Sequence, residues 1–314
     1  MARDLCIEFP NAFYHVYSRG INRQKLYRQE DDFHYFLALC RNAVAKFNIR
    51  IFAFCLMNNH YHLYFSTPDA NISRVMKFLN QSYATHFLKT YPDKDGHVFK
   101  GRYKRKIVDS DAYSFTLLNY IHRNPVSANI VTSLVDWKWS SYRSYVNPNH
   151  RLDFVDYEWT LKQFGSLLAF IKFHDENQNS SWNPEEDAKA GVFLGEDDFI
   201  VDICERYINL SEIKSQNICG IKELIQITSK HNEQKRIELI SSVDKLKVDQ
   251  QSKDRVKAYL LYKYCSMSLT DIGVLVGKSA NATRMMIKRF EHQFGQNPES
   301  FEALIKAYAV RIRP

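Results

Sequence analysis

Apolar residues follow two kinds of pattern along this chain, and each pattern predicts a different element. Aromatic and β-branched clusters predict strands at residues 13–18, 49–57 and 60–65. Apolar positions repeated every three or four residues predict helices at 31–46, at 72–90 and from the cap Asp109–Asp111 to about Ser127. Strands and helices therefore alternate in the first half of the chain.

The second half has a different pattern. Residues 151–244 are predicted to be mainly helical, with breaks near Asn179–Pro184 and at Gly220, and carry no chemical motif. A helix at 254–264, a short helix ended by glycine at 269–277 and a basic helix at 279–293 then predict a helix-turn-helix. Its predicted DNA contacts are Asn281, Arg284, Lys288 and Arg289.

Composition indicates a soluble globular protein with about two domains. The chain has 314 residues, of which 45% are hydrophobic and 25% are charged. It contains no run of 18 apolar residues, and its N-terminus lacks an apolar signal core, so no membrane partner is expected. Its six cysteines form no C-x-x-C pair, which favours a reducing cytoplasm and argues against a zinc ribbon or a disulfide framework.

Charge is distributed in three blocks. Residues 1–150 hold 20 Lys and Arg against 11 Asp and Glu, a net charge of +9. Residues 151–244 hold 10 against 18, a net of −8, and residues 245–314 hold 13 against 6, a net of +7. Two basic blocks around an acidic one indicate two polyanion-binding surfaces joined by a connector. We therefore predict domains at 1–150, 151–245 (the connector) and 246–314.

The densest basic stretch is Gly96–Lys106, with five basic and two aromatic residues in eleven positions and no acid. Cations bind phosphates, rings stack on bases and glycines permit close approach, so this stretch is typical of a nucleic-acid surface. The predicted DNA contacts of the first domain are Arg19, Arg23, Lys100, Arg102, Tyr103, Lys104, Arg105 and Arg143.

Two histidines, His60 and His62, occur one residue apart in the strand at 60–65. Alternate strand residues face the same side, so both imidazoles could reach one metal ion. Two ordinary sheet histidines are the better interpretation of this spacing alone. Tyr120 and Asn124 change that balance, because four-residue spacing places them on one helical face. Pro125 then marks the point where this helix should end or kink.

Together these side chains form a candidate nuclease site, with His60, His62 and Asn124 as metal ligands and Tyr120 as the nucleophile. A tyrosine with a pKa of about 10 is protonated at neutral pH, and the sequence does not identify the base.

Several alternatives remain open within this site. Tyr113 is a second candidate nucleophile, and His122 could replace Asn124, although a two-residue offset from Tyr120 points it elsewhere. His15 and His97 are either structural or face DNA.

Five ordered motifs over about residues 12–145 resemble the single-tyrosine HUH transposases, most closely the REP-associated tyrosine transposases. They are Tyr14–Val16 with Ser18–Arg23, Met57–Leu63, Gly101–Lys104, Tyr120–Val126 and Trp139–Arg143. One such motif would be weak, and five in order are strong. Asn124 stands where many relatives carry glutamine.

The resemblance implies an α+β fold with a ferredoxin-like antiparallel sheet and a Mg²⁺ or Mn²⁺ ion at His60, His62 and Asn124. It also implies cleavage of single-stranded DNA near a hairpin, with a 5′-phosphotyrosine at Tyr120 and a free 3′-hydroxyl. Such proteins act as monomers or homodimers. Residues 250–295 resemble the DNA-binding domain of replication initiators, which implies contact with double-stranded DNA.

Two other hypotheses compete with this one. A non-catalytic regulator would bind DNA through the helix-turn-helix and a hairpin-reading surface, without needing His60, His62, Tyr120 and Asn124 together. A relaxase or replication nickase commonly has a histidine-rich metal site and a different tyrosine context, so the stretch Tyr120–Pro125 argues against it. A nucleoid-associated, cytoplasmic enzyme is the expectation.

Overall fold

The computed structural model describes residues 6–93, 96–208, 219–246, 248–265 and 267–295. Contacts between residues divide the chain into two compact units, Met1–Ile225 and Gln226–Pro314. Residues 151–225 thus belong to the first unit. The domain boundaries placed at 150 and 245 from charge and pattern stay predictions.

The first unit is built on a five-stranded sheet. Its strands are β1 Ala12–Arg19, β2 Arg50–Met57, β3 His60–Thr67, β4 Lys104–Val108 and β5 Phe193–Leu194. They lie in the order β2-β3-β1-β4-β5, and the first four pair antiparallel. The short β5 pairs parallel with β4.

Helices cover both faces of this sheet. One face packs on α1 Glu30–Phe47 and α2 Ile72–Thr90, where the Tyr61 ring lies 4.8 Å from Phe36 and its hydroxyl donates to Asn80. The other face packs on α3 Ser110–Ser127, where the hydroxyls of Tyr64 and Ser114 are 2.5 Å apart. The order β-α-β-β-α-β with this strand arrangement confirms the predicted ferredoxin-like α+β fold.

Four shorter helices complete the described part of the first unit: α4 Ser141–Val146, α5 Tyr157–Phe164, α6 Leu167–Glu176 and α7 Asp197–Tyr207. The predicted break near Asn179–Pro184 lies in the non-helical stretch between α6 and α7, which includes β5. The predicted break at Gly220 lies in a turn directly before the helix that begins at Ile221. Two residues are too short for an alternating pattern, so β5 could not be predicted.

The second unit contains α9 Gln250–Tyr264, α10 Leu269–Leu275 and α11 Ala280–Gly295, and α8 Ile221–Asp244 ends in it. The turn between α10 and α11 requires two glycines. Gly277 has a φ of +64°, and a Cβ at Gly273 would lie 2.4 Å from the Lys278 carbonyl oxygen. The predicted order of helix, tight turn and helix is present. No described helix has the length and apolarity needed to cross a membrane.

Candidate active site

One face of the sheet carries both histidines and a row of cations. Residues opposite each other in paired strands share a face, and Arg19 lies opposite His60, while Tyr17 lies opposite His62. On the other side of β1, Lys104 lies opposite Tyr17. Strand pairing alone therefore brings the histidines of β3 next to basic residues of β1 and β4.

His60 is held by the side chain that precedes it. Its Nδ1 lies 2.7 Å from Asn59 Oδ1, which only accepts, so Nδ1 carries the proton and Nε2 keeps its lone pair. Burial and the nearby Arg19 charge lower the pKa of His60. A neutral imidazole with a free Nε2 is the state that ligates a metal ion.

His62 is oriented by another histidine. Its Nδ1 lies 3.0 Å from His15 Nε2, and the two rings stack with centroids 5.2 Å apart. If Nδ1 of His62 donates this hydrogen bond, its Nε2 is left as a ligand atom. Burial lowers the pKa of His15 to about 3 and that of His62 well below its usual value, so both rings are neutral at pH 7.

Tyr120 projects from α3 onto this pair. Asp109 caps the helix by accepting from the Asp111 backbone N–H, and Leu117 and Ile121 are buried beneath it. The Tyr120 ring meets His62 edge to face at 5.6 Å and His15 at 6.0 Å. Burial raises the pKa of its phenol.

Asn124 completes the group from the next turn of α3. Its Nδ2 donates to the Tyr120 carbonyl oxygen at 2.8 Å and approaches the Ile121 carbonyl oxygen at 3.5 Å. Pro125 has no N–H to give to Ile121, so the amide of Asn124 partly replaces that helical bond. The Asn124 amide also makes a side-chain hydrogen bond with His60, which places it beside that imidazole.

These donors fit a divalent ion. Two imidazole nitrogens and one amide oxygen are suited to Mn²⁺, and Mg²⁺ would need further oxygens from phosphate or water. Among the described residues, no group of three His, Cys, Asp or Glu could hold a metal. A metal ion at His60 and His62 would therefore need ligands of another kind, such as the Asn124 amide, substrate oxygens or water.

A cleft of about 1070 Å³ opens over the group. His60, His62 and Tyr120 line it together with five of the predicted DNA contacts: Arg19, Arg23, Lys100, Arg102 and Lys104. The loop after β1 positions Arg23. A Cβ at Gly20 would lie 2.3 Å from the Gln24 carbonyl oxygen, and Arg23 has a φ of +59°. This tight turn returns Arg23 to the cleft.

Other predicted DNA contacts lie elsewhere. Arg105 donates to the Tyr103 hydroxyl at 3.1 Å, and neither residue lines the cleft. Arg143 on α4 donates to His150 Nε2 at 2.8 Å, also outside the cleft. Asn281, Arg284, Lys288 and Arg289 are exposed on α11 in the second unit, where Ile287 and Phe290 face its core. Their roles in DNA binding stay predictions.

The alternatives within the site are also separated in space. Tyr113 packs 6.4 Å from the Trp182 ring and does not line the cleft. His122 is fully buried between His174 and Ser141, so it does not replace Asn124 at the His60–His62 pair. His15 is structural in the sense that it orients His62, whereas His97 is exposed.

Some site residues were missed by reasoning from sequence. Trp182, in the acidic segment, meets the Tyr120 ring at 5.9 Å, and Glu185 lines the cleft while accepting from Lys106 Nζ at 3.2 Å. No local pattern marks either residue. Tyr17 could have been found, because His15, Tyr17 and Arg19 alternate on one strand as His60 and His62 do.

Comparison with known families identifies the domain that carries this cleft. Residues 8–124 match the family model described as transposase IS200 like. This segment is a transposase domain. The resemblance to single-tyrosine transposases is confirmed over it, and the match ends at Asn124. No curated protein sequence matches the chain.

Two solved structures resemble parts of this chain. The first, a REP-associated tyrosine transposase bound to a REP hairpin, has a TM-score of 0.41 and 14% identity, and the match covers 50% of this chain and 96% of that chain. The second, a candidate transposase from Deinococcus radiodurans R1, has a TM-score of 0.28 and 17% identity, with 39% and 95% covered. Both TM-scores are too low to bear on the reaction.

Proposed function

We propose that the transposase domain cleaves and rejoins single-stranded DNA beside a hairpin, with Tyr120 as the nucleophile, as in the REP-associated branch of the family. The observation that carries the proposal is the placement of the Tyr120 ring 5.6 Å from His62, at the wall of a cleft lined by Arg19, Arg23 and Lys100. A nucleophile, a ligand pair and phosphate-binding cations share one space.

The reaction proposed for Tyr120 is a phosphodiester exchange. The phenol oxygen bonds to phosphorus while the bond from phosphorus to the 3′-oxygen breaks. The phenolic proton is transferred, through water, to the departing oxygen, which becomes a 3′-hydroxyl. The other product is a 5′-phosphotyrosine. Because one phosphodiester replaces another, the reverse reaction can rejoin strands. The raised pKa of Tyr120 keeps the phenol protonated until substrate is bound.

The neighbouring side chains prepare this exchange. His60 and His62 would hold a Mg²⁺ or Mn²⁺ ion with Asn124, and Asn59 and His15 keep the two imidazoles in the required tautomers. Such an ion, when bound, polarises the phosphate and stabilises the charge that develops on it. Arg19, Arg23, Lys100, Arg102 and Lys104 bind the flanking phosphates of the strand.

The test is a covalent adduct between the protein and DNA. The protein is incubated with hairpin-bearing single strands and Mn²⁺, and adducts are separated on a denaturing gel. An adduct is expected with the unaltered chain and with Tyr113→Phe, which is the matched control because Tyr113 lies on the same helix outside the cleft. Tyr120→Phe should form none. An adduct that persists in Tyr120→Phe would refute this nucleophile.

A second function, binding of double-stranded DNA, is favoured by α11. This helix exposes Asn281, Arg284, Lys288 and Arg289 while Thr283, Ile287 and Phe290 face the core of its unit. We expect Arg284→Ala with Lys288→Ala to weaken duplex binding and to reduce its dependence on salt. Adduct formation on short single strands should remain. Unchanged duplex binding in the double variant would refute this role. If duplex binding occurs and no adduct forms with any divalent ion, the chain is the non-catalytic regulator.

A further inference from the structure

A second cavity, of about 240 Å³, shares Tyr120 with the cleft. One side is the flank of α3 that carries Thr116, Asn119 and Arg123, and the other is the loop Ser180–Trp182. None of the described residues that line it is acidic. Because Tyr120 lines both spaces, a strand that passes Tyr120 can place neighbouring nucleotides in the two cavities.

Arg123 gives this cavity its charge. Its guanidinium is half-buried, and among the described residues it makes no ion pair or hydrogen bond. Burial, together with a smaller contribution from this charge, lowers the pKa of the neighbouring His174. A partly desolvated guanidinium without a carboxylate is the arrangement that an incoming phosphate would stabilise, since its planar fork matches two phosphate oxygens.

Two further side chains fit a base. Asn119 is 3% exposed, and its Nδ2 donates to the Asn177 carbonyl oxygen at 3.1 Å, while its buried Oδ1 has no hydrogen-bond partner among the described residues. A buried acceptor without a donor is costly, and an amino group on a base would supply the donor. Trp182 is held by its Nε1, which donates to Asp187 at 3.1 Å, so its ring is a fixed surface for stacking.

We propose that this cavity, which we call the Arg123 cavity, binds the nucleotide adjacent to the phosphate that Tyr120 attacks. Arg123 takes the phosphate of that nucleotide, and Asn119 and Trp182 take its base. The inference rests on the proposed reaction of Tyr120, which it deepens by adding a position at which the strand is held. It also gives the acidic segment a role, because this segment supplies Trp182.

The experiment combines a substitution at Arg123 with removal of single nucleotides from the DNA, and asks whether the two changes weaken binding independently. Hairpin DNA with randomised single-stranded flanks, shortened by one nucleotide at a time from either end, is bound in EDTA so that no cleavage is needed. Fluorescence anisotropy gives Kd for the unaltered chain, Arg123→Gln and Arg41→Gln. Arg41→Gln is the matched control, because Arg41 pairs with Asp153 on the surface and lines neither cavity.

For the unaltered chain, one truncation should weaken binding by about 10- to 100-fold, the loss expected for a charged hydrogen-bonded phosphate. Arg123→Gln should bind the longer DNA about 10- to 100-fold more weakly than the unaltered chain does. Its affinity should not fall further when the same nucleotide is removed. Arg41→Gln should behave as the unaltered chain, and Arg123→Lys should fall in between because it keeps the charge without the fork.

Three results would each overturn the Arg123 cavity as a nucleotide site. The substitution and the truncation could weaken DNA binding by independent, additive amounts, Arg123→Gln could bind as tightly as the unaltered chain, or no oligonucleotide could bind at all. Adduct formation with Mn²⁺, measured in parallel, separates this from the reaction itself. An adduct without the non-additive loss leaves the reaction standing and removes the cavity's role. The non-additive loss in EDTA without an adduct leaves a nucleotide site and removes the reaction.

Discussion

Two groups of histidines lie at α3, and they differ in what their ring nitrogens face. In the first group, the rings of His15 and His62 contact Tyr120, and His60 lies beside His62. The hydrogen bonds to His15 and Asn59 engage Nδ1 of His62 and of His60. In the second group, His122 and His174 have all four ring nitrogens engaged.

In the second group, which we call the closed group, a chain of hydrogen bonds engages every ring nitrogen. His174 Nδ1 donates to the Phe170 carbonyl oxygen at 2.8 Å, so its Nε2 accepts from His122 Nδ1 at 2.9 Å. His122 Nε2 then accepts from the Ser141 hydroxyl at 2.8 Å. No lone pair remains for a metal ion. Paired imidazoles therefore indicate a ligand site only where their hydrogen bonds leave the same nitrogen of each ring free and facing a common space.

The largest effect that could break this comparison is at His60. We expect His60→Ala to reduce the rate of adduct formation about 1000-fold, because a metal ligand supports several kcal/mol of charge stabilisation. Mn²⁺ binding, measured by titration without DNA, should weaken in His60→Ala and stay unchanged in His122→Ala. Equal Mn²⁺ affinity in the unaltered chain and both variants would show that the first group, which we call the open group, is not a metal site.

The next largest effect is a loss of unfolding free energy, and we expect it when a histidine of the closed group is replaced. His122→Ala removes a fully buried ring and takes one hydrogen bond each from His174 Nε2 and the Ser141 hydroxyl, so it should cost about 2–4 kcal/mol of unfolding free energy. All four tryptophans lie in the first unit, so tryptophan fluorescence during denaturation reports that unit alone. The exposed His97→Ala is the control. A loss in His97→Ala as large as in His122→Ala would contradict the closed chain.

The two groups were not equally visible in the sequence. The pairing of His60 with His62, and of Tyr120 with Asn124, follows from the strand and helix periods, which determine which residues share a face. Local pattern also predicted β1–β3 and α1–α3, whereas the basic stretch that runs into β4 was predicted only as a nucleic-acid surface. The contact of His15 with His62 is a diagonal between two strands, and it requires their register.

Contacts between distant segments were beyond such reasoning. His174 and Trp182 reach α3 from a segment more than fifty residues later, and no periodicity specifies how that segment packs. The Asn119 Oδ1 atom and the Arg123 guanidinium have no hydrogen-bond partner in the described part of the chain, and this too is a property of packing. The sequence shows which residues a helix presents, whereas the hydrogen bonds that close or open a histidine depend on the assembled fold.

A smaller effect would sharpen the description of the open group. Asn59→Ala removes the acceptor that holds the proton on His60 Nδ1, and such outer contacts are worth about 10- to 100-fold in metal affinity. Mn²⁺ titration should show this loss, with folding nearly unchanged because Asn59 is half-buried. Asn58→Ala is the matched control, since Asn58 lines the same cleft with no side-chain bond to His60. Equal affinities in the two variants would mean that Asn59 does not orient His60.

The smallest expected effect is the change in unfolding free energy with pH, which depends on the lowered pKa values of histidines in the two groups. Burial lowers the pKa of His174 to about 4 and that of His15 to about 3. The unfolded chain, with histidine pKa values near 6.5, therefore binds more protons than the folded chain below that pH. Unfolding free energy should fall as pH drops from about 6.5 towards 4, by about 1.4 kcal/mol per pH unit for each such histidine.

Denaturation without metal, followed by tryptophan fluorescence, measures this slope. His174→Gln should reduce it by the share of one histidine, whereas His97→Ala should leave it unchanged. Because the closed group offers no ligand, Mn²⁺ should change the slope only through the open group, and a Mn²⁺ effect that survives His60→Ala would refute the division between them.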